Sequence, residues 1–145
     1  MRYDLISRAL LAVLRAQTDD DGNPLSIGDG KAPEPPDGEV VPDTPYAVLR
    51  RIHGGRDQGV MADPHAHLYV VFEVRSVSWS PETTERMATA MRDAIVGRSA
   101  GGYTNAIAGA GWGVARRDHI TTGDVSLEGT LWNTADDFGL LCVPV

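Results

Sequence analysis

Ile6, Ala9, Leu10, Val13 and Leu14 recur at intervals of three and four residues, which brings them onto one helical face and predicts a helix over about residues 4–16. Asp4 stands where an N-cap would accept a backbone N–H. After a long polar stretch, Pro45–Ile52 is rich in strand formers with apolar residues on both faces, and closes at His53-Gly54-Gly55. The segment His67–Trp79 alternates more sharply: Leu68, Val70, Phe72 and Val74 share one face, and Tyr69, Val71, Glu73, Arg75 and Val77 the other. A fully buried strand centre with a more polar end is expected there.

That strand runs into Ser80-Pro81-Glu82, a helix start in which Ser80 caps, Pro81 suits the first helical position and Glu82 favours the positive helix end. Thr84, Met87, Ala88, Met91, Ala94 and Ile95 then line one face up to Gly97, predicting a second helix over 81–96. From Arg98 to Gly113 the chain is rich in Gly and Ala and its periodicity fades. Residues 113–121 and 125–132 read as a hairpin joined near Thr122-Gly123-Asp124, and Phe138–Val145 as a closing strand. The order predicts one α+β domain over residues 1–145, a mostly antiparallel sheet with two helices packed on one face.

Charge changes this picture at one place. Between Thr18 and Thr44 eight acids, among them Asp19, Asp20 and Asp21, stand against Lys31 alone, accounting for the whole formal charge of −7 and leaving twelve acids and twelve bases elsewhere. Five of the nine prolines fall in the same stretch, so residues 18–44 read as an acidic, Pro-rich loop or arm with no core of its own. The acidic balance excludes a protein that grips nucleic acid through a broad basic face. Cys142 is the only cysteine, which excludes an intramolecular disulfide framework and fits a reducing compartment. The apolar run Ala9–Leu14 is too short for a signal-sequence core, and no run of about 18 apolar residues crosses a membrane.

Candidate chemistry is thin. His65 and His67, two apart on a strand entry with Asp63 just before, can share a face, but a zinc site uses at least three protein ligands and no third stands at a recognisable spacing, leaving distant residues such as His53 or His119. The glycines of Gly109–Gly113 lack the following helix and Lys-Ser or Lys-Thr pair of a phosphate loop and read as a turn. Cys142 lies in an apolar strand, where a thiol packs as a small hydrophobe. No catalytic residue, metal site or cofactor is assigned. Trp79, at a strand-to-helix junction, is expected in the core; Trp112 and Trp132 fit core or interface equally. Arg50, Arg51, Arg116 and Arg117 pair within the balanced body or bridge subunits; with Trp112, Trp132 and Asp19–Asp21 they are the candidate interface residues.

The run Thr44–Ile52, then Leu68–Val74, then a Trp-Ser-Pro-Glu helix start leading to Met87–Ile95, resembles the tail terminator (tail completion) proteins of long-tailed bacteriophages over roughly residues 3–97. The 18–44 arm is longer than the connection expected in that family, and the Gly-rich stretch 98–113 has no counterpart in it. The resemblance implies a structural virion protein at the head–tail junction, assembled in the host cytoplasm as a ring, usually a homohexamer. Such a ring caps the tail tube, stops its polymerisation and joins it to a head-side connector or stopper protein. Genomic DNA passes through without specific binding, and an acidic balance suits such a channel because like charge repels phosphate. The alternatives are another head–tail connector, a stopper or neck protein, and a small metal-dependent enzyme using His65 and His67.

Overall fold

A computed structural model describes residues 3–33, 44–52, 56–57 and 67–145. Its elements run α1 (Tyr3–Arg15), β1 (Ser26–Asp29), β2 (Tyr46–Arg51), β3 (Arg56–Asp57), β4 (Leu68–Ser78), α2 (Pro81–Val96), β5 (Arg98–Ser99), β6 (Gly102–Tyr103), β7 (Ala108–Gly109), β8 (Trp112–Thr122), β9 (Ser126–Glu128) and β10 (Leu131–Pro144). The main sheet has the order β1-β2-β4-β10-β8-β7, with β3 beside β4 and β9 beside β10. Every pairing is antiparallel except β1 with β2. This is the α+β domain expected.

The core lies between one face of that sheet and both helices. Leu68, Val70, Phe72 and Val74 of β4, Phe138, Leu140 and Cys142 of β10, and Ala47 and Leu49 of β2 join Ile6, Leu10, Leu11 and Leu14 of α1 and Met87, Met91, Ala94 and Ile95 of α2 in one buried cluster. Phe72 and Phe138 are fully buried and lie opposite each other in the register of β4 and β10. Burial of each such side chain contributes about 1.5–3 kcal/mol. Helix α2 starts as its sequence dictates: Ser80 Oγ accepts from the Thr83 N–H at 3.1 Å, and Pro81 follows as the first helical residue. Beneath that cap, Ser78 Oγ and Thr84 Oγ1 lie 2.6 Å apart, and Thr84 Oγ1 donates to the Ser80 carbonyl at 2.9 Å, so the buried hydroxyls are satisfied.

Several expectations need correction. Asp4 lies inside the first turn of α1 and not at its cap, where its charge still favours the helix N-terminus. The centre of β4 is buried on one face only; Tyr69, Val71, Glu73 and Arg75 are half-exposed. Residues 18–33 are no free arm. Thr18 bridges to Pro24, β1 pairs in parallel with β2, and Ile27 enters the core at 5% exposure. Arg15, at the end of α1, donates to the Ile27 carbonyl from Nε and Nη2, fastening β1 to the helix. Residues 34–43, the rest of the expected arm, lie outside the described residues.

The hairpin expected over 113–132 turns at a different place. Strands β8 and β9 are successive partners of one long strand, β10, which pairs with β4 on its other edge. The reversal lies at Gly129-Thr130, between the paired residues Glu128 and Leu131; Gly129 has φ +64°, the placement of glycine that a type II′ turn requires. At Thr122-Gly123-Asp124 the chain only kinks, and the Gly123 N–H still donates to the Ala135 carbonyl at 2.8 Å.

Candidate functional site

Successive residues of a strand point to opposite faces, so β10 divides its polar residues between the core and the outer surface of the sheet. Asp136, in step with Phe138 and Leu140, points inward and is 2% exposed. Its carboxylate meets Arg92 Nη2 of α2 at 3.3 Å and His119 Nε2 of β8 at 3.2 Å, and the His119 ring stacks on Phe138 with centroids 5.0 Å apart. Thr122 Oγ1 lies 3.2 Å from the same Nε2 atom. A hydroxyl relay of the serine-hydrolase kind needs carboxylate and hydroxyl on opposite ring nitrogens. Here both crowd one nitrogen and Arg92 holds the carboxylate, which makes the cluster an ionic tie between helix and sheet. Neither Asp136 nor Arg92 was singled out from sequence, because Asp136-Asp137 reads as a polar break; counting alternate positions back from Phe138 is the signal that finds it.

The outer face of the sheet carries a second set of locked side chains. Tyr69 donates to Asp118 Oδ2 at 3.0 Å, Arg116 Nε donates to the same oxygen at 3.1 Å, and the Arg116 guanidinium lies 5.7 Å from the Tyr69 ring. Burial, then the hydrogen bond and negative charge of Asp118, push the Tyr69 phenol above its ordinary value. Glycine at 139 makes room for the Tyr69 hydroxyl, which a Cβ there would strike. Alongside, Arg50 Nη2 meets Glu73 Oε1 at 3.1 Å and Arg75 Nη1 donates to Asn133 Oδ1 at 2.8 Å.

These contacts place the predicted interface residues. Arg50 and Arg116 are paired on the outer face, and Arg51 lies over the Tyr3 ring at 4.6 Å. Arg117 Nη1 donates to the Ile95 carbonyl at 2.9 Å and its guanidinium lies 4.2 Å from the Tyr103 ring, whose centroid Arg98 approaches to 4.5 Å. Helix α2 has no basic residue in its own last turn, so Arg117 supplies the cation that its carbonyl end favours. Burial lowers the Arg117 pKa from its ordinary value. Trp112 is buried at 5% and belongs to the core, packed on Gly109, while Trp132 is half-buried with its carbonyl facing the Thr84 hydroxyl at 3.4 Å. Trp79, expected in the core, is instead 51% exposed, because the chain turns out of the sheet there to begin α2.

Asp19, Asp20 and Asp21 are exposed in a tight turn. Asp19 Oδ1 accepts from the Asp21 and Asn23 N–H groups at 3.0 and 2.8 Å, and Gly22 takes φ +82°. This turn, Trp79 and the N-terminal half of α2 enclose a groove of about 490 Å³ floored by Leu25, Pro45, Met87 and Ala90, with Arg86 on its wall. Cys142 is fully buried, and burial pushes its thiol up to about 11, which suits packing and not nucleophilic attack. His53 and His65 lie outside the described residues, and no three His, Cys, Asp or Glu side chains among the described residues cluster as metal ligands. No described helix is long and apolar enough to cross a membrane. No protein-family model matches the chain, and no curated protein matches it.

Proposed function

We propose that this chain is a structural virion protein, a phage tail terminator that forms a closed ring, caps the tail tube and joins it to a head-side connector. The observation that supports it is the arrangement of the stretches that carry the resemblance. Amphipathic α1, antiparallel β2 and β4, and α2 with its Ser-Pro cap form successive parts of one folded body. Arg50 with Glu73, Arg92 with Asp136, Arg116 with Asp118 and Arg117 with the Ile95 carbonyl make their contacts within the chain, an arrangement suited to scaffold and packing. Four acids and three prolines of the expected acidic arm fall in residues 34–43, outside the described residues.

The purified chain should form a closed ring by mass photometry, and adding it to polymerising tail-tube subunits should arrest tube growth. Rings that bind a head connector yet leave tube growth unchanged assign the chain to the stopper or neck proteins. A monomer at every concentration, even beside tail tubes, overturns the ring.

A further inference from the structure

We infer that the groove beside Trp79 receives the β5–β6 hairpin of a second copy of this chain, so that copies join head to tail. The inference rests on the ring reading above and names the surface that would build it. Three features of the groove point to a protein partner: an indole half in solvent, apolar lining residues, and three carboxylates in the lining against one guanidinium, that of Arg86. Exposed tryptophan in an apolar recess is the usual anchor of a protein interface. The rim is held before any partner arrives, because the Asp19 carboxylate is tied to two backbone N–H groups. Little order is then lost on docking.

The complementary surface lies at the other end of the same helix. Sixteen residues of α2 place its ends about 24 Å apart. Beyond the C-terminal end, exposed Arg98 and half-buried Arg117 both lie over the Tyr103 ring, Arg98 also donating to its hydroxyl at 3.1 Å, with Asp93 on the preceding turn. The hairpin tip, Ala100-Gly101, is small and exposed, and nothing lies within 4 Å of where a Cβ on Gly101 would be. It is slim enough to enter the groove while Arg98 meets the carboxylates. Opposite charges at opposite ends of one element favour a heterologous contact over a two-fold one, and a heterologous contact closes into a ring when its rotation permits.

Charge reversal tests this. Asp20→Arg with Asp21→Arg should abolish rings in mass photometry at unchanged thermal midpoint, as should Arg98→Glu alone. The chain carrying all three should recover them, a rescue that a merely structural role for Arg98 does not produce. Trp79→Ala should lower the ring fraction at least tenfold at fixed concentration. Rings that persist in both reversed chains overturn the docking surface while leaving the ring reading in place, as do intact rings that lose only tube binding. Failure of the triple variant to recover also overturns the surface. A wild-type chain that never assembles overturns both.

Discussion

Asp136 and Asp137 are adjacent and identical in side chain, yet they differ in what their loss should cost. Asp136 is buried against Arg92 and His119, whereas the half-buried carboxylate of Asp137 faces the outer surface and accepts from Thr121 at 3.1 Å. Removing one partner of a buried ionic cluster leaves the others desolvated and unpaired. Asp136→Ala should therefore lower stability in urea unfolding by about 2–4 kcal/mol, a range that allows for the solvent access Arg92 keeps. Asp137→Ala should stay within about 0.5 kcal/mol. Equal effects would mean that the face each residue occupies does not decide its energetics. The tryptophans teach a related lesson. Trp79 and Trp112 are the same residue type, and only the course of the chain around them puts one in a groove and the other in the core.

The elements legible from sequence are those whose signals are local. The second helix lies over Pro81–Val96 with the six predicted buried residues, because an apolar face, a Ser cap and a first-turn Pro all act within a few residues. The hairpin turns at a different place from the one expected because Thr-Gly-Asp is good turn chemistry, while Gly129-Thr130 falls inside the stretch 125–132, where Val125, Leu127 and Leu131 alternate and read as one strand. The two glycines do different work. Gly123 lets the backbone approach the Ala135 carbonyl, and Gly129 supplies a positive φ. Gly129→Ala should cost about 1 kcal/mol in thermal unfolding, because a Cβ is strained at the positive φ of the first central position of a type II′ turn. An Ala variant as stable as the parent would place the reversal elsewhere.

All buried elements share one apolar cluster, and even β1 contributes Ile27 to it. Residues that share a single core unfold together. The intrinsic tryptophan fluorescence and far-UV ellipticity transitions in urea should therefore coincide, with separate midpoints marking a body that divides. What the sequence by itself determined is the local pattern: an amphipathic helix near the start, two alternating strands, and a capped second helix, with all net charge in residues 18–44. The tertiary structure decided everything that depends on a partner far along the chain. Arg92 reaches Asp136 across 44 positions and Arg117 reaches Ile95 across 22, so neither pairing has a local signature. A four-residue strand with one buried aliphatic side chain carries too little periodicity to be read alone, and β1 became a strand because β2 offered it a free edge and the core offered Ile27 a place.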